Sequence, residues 1–228
     1  AYSLIRSGCK VGYIALEESI KRTGRSLMGI HLNCPAFKWR ESKVSDGQMK
    51  KAFDATLGTG QIVLYDHWGS CDSENLVNQI RYMAKAMGCT HIFLDHLSIV
   101  VSGLADGDER RIIDNTMTKL RSLVEETKVA MFLVSHLKRP EGRGHEEGAQ
   151  TSLSHLRGSH AISQLSDAVL GLERDQQGDE ANFMTVRVLK NRYTGDTGIA
   201  CRLEYNKETG RLSEATMPDE PIEENDDE

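Results

Sequence analysis

In Thr90–Val101, THIFLDHLSIVV, three apolar residues, Ile92, Phe93 and Leu94, run into Asp95, and a second apolar run follows. A short apolar run that ends in one carboxylate suits a buried parallel strand of an α/β sheet. Ligands of such sheets sit beyond the carboxyl ends of the strands. An Asp at that place, facing a nucleotide, is where phosphoryl-transfer proteins hold Mg²⁺. Many nucleotide-free strands also end in Asp, so the neighbouring segments have to decide the reading.

Working outward, strands and helices alternate. Ala1–Ser7 reads as the tail of a helix with Gly8 at its end. Lys10–Leu16 is a strand running into Glu17 and Glu18. Helical patterns cover Ser19–Asn33 and Ser45–Leu57, the second with Ser45 as N-cap and Gly58 as C-cap. Gln61–Tyr65 is a strand. Ser73–Met87 is a helix with Leu76, Ile80 and Met83 on one face. After the Asp95 strand come a polar loop, Ser102–Asp108, an amphipathic helix, Glu109–Lys128, and an apolar strand, Val129–Ser135, ending at His136. This alternation predicts a mostly parallel α/β sheet flanked by helices. Leu137–Ser152 is a long Gly-, Arg- and Glu-rich loop, a length usually tied to function. Three further strands, Asp167–Glu173, Phe183–Lys190 and Ile199–Tyr205, then a turn at Asn206–Gly210 into Arg211–Ser213, predict a C-terminal antiparallel extension.

Composition narrows the class. The 228 residues are 39% hydrophobic and 27% charged, which suits a folded soluble domain, and no run of 18 apolar residues suggests a membrane span. Five scattered cysteines without a CxxC favour neither a disulfide framework nor a zinc site and fit a reducing cytoplasm. His145, Glu146 and Glu147 resemble a metal cluster, but Ala149 stands where HExxH needs His. Of the 34 acidic residues eight lie in 214–228, which has no Lys or Arg; the body before it is mildly basic. A basic body with an acidic arm fits a nucleic-acid motor, and also an ordinary solvated end.

Glu17, Asp95 and His136 follow successive strands, so a parallel sheet turns all three toward one ligand. Glu17 suits a base that deprotonates water, Asp95 a Mg²⁺ ligand, and His136 a hydrogen-bond donor to a terminal phosphate. VGYIALEES, HIFLDHLSIVVS, DERRIIDNTMTKLRSLVEETKV, SHLKRPEGRGHEEG, LRGSHAISQLSDAVLGLERDQQGD and LKNRYTGDTGIACRLEYNKETG together resemble the helicase half of the ring-forming phage primase–helicases, relatives of the bacterial DnaB helicase and mitochondrial Twinkle.

The resemblance implies a RecA-like P-loop NTPase core over residues 1–213 and an acidic disordered tail over 214–228. It implies Glu17 as catalytic base, Asp95 as the Walker B acid and His136 as the γ-phosphate sensor linked to the DNA loop. Arg192 matches an arginine finger that enters the neighbouring subunit's site, with Lys190 assisting from the same side of the strand and the turn at Gly195–Gly198 aiming both. Arg174 and Tyr205 match residues that hold the nucleotide base. Arg157 and Gln164 match a motif near DNA and phosphate. Lys138, Arg139 and Arg143 match the central-channel loop that contacts single-stranded DNA; the loop is slightly shorter than the family's, and Gly142 and Gly144 flank its distal cation.

The implied cofactors are Mg²⁺ and a nucleoside triphosphate, dTTP or ATP. The implied partners are single-stranded DNA, further copies in a ring, as a rule a hexamer, and a replicative DNA polymerase through the acidic tail, although the tail ends NDDE without the usual aromatic residue. No membrane is involved, and the cytoplasm of an infected bacterium is the expected location if a phage encodes the chain. No GxxxxGK[ST] occurs. The family pattern places it just before Ala1, so a C-terminal fragment that hydrolyses little by itself is expected. A RecA-type recombinase and a non-catalytic assembly or DNA-binding module are the alternatives.

Overall fold

The computed structural model describes residues 1–66, 73–97, 106–138, 142–156 and 160–216. Helix α1, Tyr2–Arg6, precedes strand β1, Val11–Ala15, with Gly8 at φ 80° turning the chain between them. Helix α2, Ile20–Leu32, starts where the Ser19 hydroxyl accepts from Arg22 N and ends at Asn33 in the left-handed region. Helix α3, Asp46–Ala55, carries a complete capping box between Ser45 and Gln48. The expected Gly58 cap is not used: α3 stops at Thr56, the chain tightens into a 3₁₀ turn at Leu57–Thr59, and Gly60 takes the positive φ of 70°.

Strand β2, Ile62–Tyr65, helix α4, Ser73–Lys85, and strand β3, His91–Asp95, follow. Helix α5, Asp106–Thr127, begins three residues earlier than its apolar periodicity indicated. The rest of the expected Ser102–Asp108 loop lies outside the described residues. Strand β4, Ala130–Leu133, completes a parallel sheet of order β2-β1-β3-β4.

Helices cover both faces of that sheet. On one, Leu76, Ile80 and Met83 of α4 and Ile113, Met117, Leu120 and Leu123 of α5 bury against Ile14, Ile92 and Leu94. On the other, Ile5, Leu27 and Val11 pack with Tyr2 and Phe93. Packing over Gly12 is tight: a Cβ would meet Ile92 Cδ1 at 2.7 Å and Met83 Sδ at 2.9 Å, so those side chains would have to shift.

Helix α6, His160–Leu165, leads into an antiparallel sheet of order β5-β6-β7-β8, with β5 Ala168–Glu173, β6 Phe183–Asn191, β7 Gly198–Asn206 and β8 Arg211–Ala215. The last strand runs two residues past the expected Ser213 end. The expected extension is thus a second sheet. The Asn206–Gly210 turn is confirmed: the Asn206 side chain accepts from Glu208 N and Thr209 N.

A partly buried ion pair ties this sheet to the long loop. Arg187 Nε donates to Glu173 Oε1 at 2.7 Å, and Thr151 N and Oγ1 donate to the same oxygen, each at 2.8 Å. A Cβ at Gly171 would lie 2.0 Å from Thr151 Oγ1, so only glycine admits this packing. Burial pushes the Glu173 carboxyl up, but Arg187 and Thr151 outweigh it and hold the group below its ordinary 4.5. The folded pKa is depressed. Its stabilisation is therefore complete above that ordinary value and is lost as pH falls through the folded one. Glu173→Ala, which leaves Arg187 and Thr151 without their acceptor, is expected to cost about 1–3 kcal/mol in denaturant unfolding at neutral pH. Its stability should also fall less on acidification than the parent's.

Candidate active site

The parallel register assembles one site. Ala15 of β1 is paired with Asp95 of β3, and Leu94 of β3 with Leu133 of β4. Leu16 N donates to Asp95 O at 2.7 Å on one side of β3, and Leu97 N donates to Val134 O at 3.1 Å on the other. The segments after three adjacent strands therefore leave the sheet together, carrying Glu17, Asp95–His96 and His136.

His96 is the residue that sequence reasoning missed. It is 4% exposed, and its Nε2 lies 2.6 Å from Glu17 Oε1. Its ring lies against the His136 ring with centroids 3.8 Å apart. A buried imidazole thus links the expected base to the expected phosphate sensor. The signal was present in LDHLS, a polar pair inside two apolar runs, but the two-residue period of a strand would set 95 and 96 on opposite faces. Strand β3 ends at Asp95, so the period does not extend to His96.

Asp95 is half-buried. Burial pushes its carboxyl up, Glu17 and Glu18 push it further, and His96 and His136 oppose them. Carboxylates that repel one another at a strand end suit a divalent cation. Asp95 would offer a hard oxygen of the kind Mg²⁺ takes. Glu18 is engaged elsewhere, accepting from Thr23 Oγ1 at 2.7 Å and pairing with Arg22 at 3.2 Å.

Lys190 and Arg192 converge on the end of α6. The Lys190 ammonium donates to the carbonyls of Ser163, Gln164 and Ser166 at 2.6, 3.2 and 2.9 Å, capping the negative end of that helix. Arg192 Nη2 donates to Gln164 O at 2.8 Å, its backbone N donates to Asp167 O at 2.8 Å, and its Nη1 lies 3.0 Å from Asp167 Oδ1. Asp167 also receives Arg121 of α5 at 2.7 Å. Among the described residues neither Lys190 nor Arg192 is paired with Glu17, Asp95 or His136. Gln164 joins this group through its backbone carbonyl. Arg157 lies outside the described residues.

Arg174 and Tyr205 meet at one turn: Arg174 Nε donates to Ala181 O at 2.7 Å and Tyr205 N donates to Asn182 O at 2.7 Å. Tyr205 also lines a cleft of about 710 Å³ with Ser19, Arg22 and Arg25 of the α2 region.

In the long loop, Lys138 N donates to His155 O at 2.7 Å, and its side chain is exposed with no ion pair among the described residues. Arg143 is paired with Asp175 at 3.2 Å. Two backbone donors, Gln177 N and Gly178 N, together with Arg143, hold the Asp175 carboxyl below its usual range. Arg139 lies outside the described residues. His145 packs edge-on against His155 at 5.1 Å. Among the described residues no helix is long and apolar enough to cross a membrane.

Comparison with known proteins bears on the whole chain. Residues 1–214 match the family described as "DnaB-like helicase C terminal domain". A "DNA helicase/primase" of Enterobacteria phage T3 is 44% identical over 211 residues, covering 91% of this chain and 37% of that protein. A "Probable plasmid replicative DNA helicase" of Chlamydia trachomatis is 27% identical over 190 residues, covering 81% and 40%. The chain thus spans less than half the length of these relatives. Among solved structures, one described as an ATPase domain superposes with a TM-score of 0.77 at 21% identity, covering 95% of this chain and 78% of that one. "The Structure Of A DnaB-Like Replicative Helicase And Its Interactions With Primase" gives 0.73 at 20% identity, covering 90% and 50%. A KaiC-like protein from Pyrococcus horikoshii OT3 gives 0.60 at 15% identity, covering 94% and 79%, so the RecA-like fold is shared beyond helicases. By its match over nearly its whole length, the chain belongs to the DnaB-like helicase C-terminal domain family.

Proposed function

We propose that this chain is the motor part of a replicative DNA helicase that couples nucleoside triphosphate hydrolysis to movement along single-stranded DNA. The observation that carries the reading is the Glu17–His96–His136 line beside Asp95, at the carboxyl ends of three adjacent parallel strands. Glu17 is 54% exposed on its side chain, open to an attacking water whose proton it accepts. Buried His96 holds the Glu17 carboxylate in place. His136, its ring tilted against that of His96 and exposed, meets the terminal phosphate and begins the segment that leads to Lys138. Asp95 would hold Mg²⁺, which when bound would supply positive charge beside the phosphate oxygens. Arg174 and Tyr205 bind the base of dTTP or ATP.

Arg192 serves a neighbouring copy. Within its own chain the guanidinium Nη1 and Nη2 rest on Asp167 and Gln164, away from the reacting groups on the other sheet, so Arg192 must leave these partners to enter a neighbour's site. A residue that completes the next subunit's site demands head-to-tail packing, and such contacts close into rings, here a hexamer. Lys190, committed to the α6 carbonyls, steadies the segment that carries Arg192. The motor runs to the end of β8 at Ala215, and the acidic segment after it is an arm, a docking point for a DNA polymerase.

The chain has no GxxxxGK[ST]. The direct test is therefore DNA-stimulated NTP hydrolysis by the chain extended N-terminally with a strand–GxxxxGK[ST]–helix segment. Stimulated turnover supports the motor; tight DNA binding without hydrolysis supports a non-catalytic module instead. Lys138→Ala is expected to weaken single-stranded DNA binding and to reduce the slope of log K against log salt by about 0.7, the value for one phosphate contact. Arg143→Ala should cost less, because Arg143 must first leave Asp175.

A further inference from the structure

We propose that Glu17, His96 and His136 form a binding site for a Zn²⁺-class transition-metal ion, distinct from the Mg²⁺ position at Asp95, whose occupation blocks the motor. One ligand atom from each of the three residues lies within 4.8 Å of the other two. Two imidazoles and a carboxylate are the ligand set of several catalytic zinc sites, which leave a fourth position open. Mg²⁺ prefers an all-oxygen shell, whereas imidazole suits Zn²⁺, Cu²⁺, Ni²⁺ and Co²⁺, so nitrogen donors separate the two sites by chemistry.

The geometry is close to what an ion needs. Ligand atoms about 2.0–2.1 Å from a tetrahedral ion sit about 3.3 Å apart. His96 Nε2 and Glu17 Oε1 are now 2.6 Å apart across a hydrogen bond, so an ion entering there spreads them by under about 1 Å. His96 is buried and fixed, while Glu17 and His136 are exposed and able to adjust. The carboxylates of Glu18 and Asp95 lie near enough to act on one another and add negative charge around the opening. An ion bonded to Glu17 removes the carboxylate oxygen that accepts the water proton and the imidazole that faces phosphate. The blockade, though not the binding, rests on Glu17 acting as the base.

The test needs no turnover. Co²⁺ is titrated into the full chain with the thiols kept reduced, and visible absorption is followed, then Zn²⁺ is added to displace it. Expected are d–d bands of a four-coordinate nitrogen–oxygen site at one ion per chain, lost on adding Zn²⁺. Glu17→Gln and His136→Ala, both at exposed positions, should each weaken binding by at least about 10–100-fold, the loss typical of even an outer-shell partner. The double variant His145→Ala/His155→Ala should leave it unchanged. No d–d bands, bands that survive in Glu17→Gln and His136→Ala, or bands accompanied by strong thiolate charge transfer would each overturn the proposal. Any of these leaves the motor reading standing, and an inactive P-loop-extended chain leaves the metal site standing.

Discussion

Arg192→Ala is expected to lower NTP hydrolysis by about 10³–10⁵ in a P-loop-extended chain, the range that arginine fingers contribute in related phosphoryl transfer. Nucleotide affinity should change little, because the guanidinium acts on charge that develops in the transition state. Arg192→Lys should recover little of the loss, since an ammonium lacks the planar fork that spans two oxygens. The environment of Arg192 sharpens the expectation. Asp167 receives Arg121 at 2.7 Å and lies 3.0 Å from Arg192 Nη1, so it couples α5 to the finger. Asp167→Asn weakens both pairs and should slow turnover by up to about 10²-fold, the cost of a small misplacement of a reacting group. Steady-state hydrolysis with parallel nucleotide titration separates these effects. Loss of affinity with unchanged kcat would place Arg192 in nucleotide binding and not in the chemical step.

Glu17→Gln is the second large effect. Glutamine keeps the shape and can still meet His96, but it cannot take a proton, so a loss of about 10²–10⁴ in kcat is expected with KM nearly unchanged. The variant should still bind nucleotide and single-stranded DNA. His96→Asn gives a useful contrast. It keeps the carboxylate and removes the ring between Glu17 and His136, so the stimulation of hydrolysis by DNA should fall more than the basal rate does. Equal loss of both would reduce His96 to a packing residue.

The parallel half of the fold was legible because each element announces itself locally. Ser45 caps its helix as expected, Ser19 at the start of the earlier helical pattern does the same, Gly8 and Gly88 turn the chain at φ 80° and 73°, and the apolar runs at Val11–Ala15 and His91–Asp95 are the strands flanked by helices. The order β2-β1-β3-β4 was not legible, because pairing is set by crossover packing and not by any strand's own residues. The Gly58 cap failed because a short 3₁₀ turn consumed the residues after α3 and moved the left-handed position to Gly60.

The site was legible as strand-end residues and through resemblance, less so as chemistry. Three strand ends named Glu17, Asp95 and His136, yet the residue joining them, His96, follows Asp95 directly and is invisible to periodicity. Lys190 reads as a cation beside Arg192, and only the fold reveals that its three hydrogen bonds go to carbonyls at and just past the end of α6. Likewise the loop cations look equivalent in sequence, whereas Asp175, more than 30 positions away, engages Arg143 and leaves the Lys138 side chain exposed.

The central claim is a site built from two copies, with Glu17, Asp95 and His136 from one and Arg192 from the next. Its most direct test mixes Glu17→Gln chains with Arg192→Ala chains, both P-loop-extended and each inactive alone, and measures DNA-stimulated hydrolysis. Random head-to-tail assembly at equal amounts restores about a quarter of the interfaces to a full set of groups, so activity should rise far above either parent. A mixture no more active than the sum of its parts would contradict the shared site and place Arg192 in its own subunit's chemistry or outside it altogether.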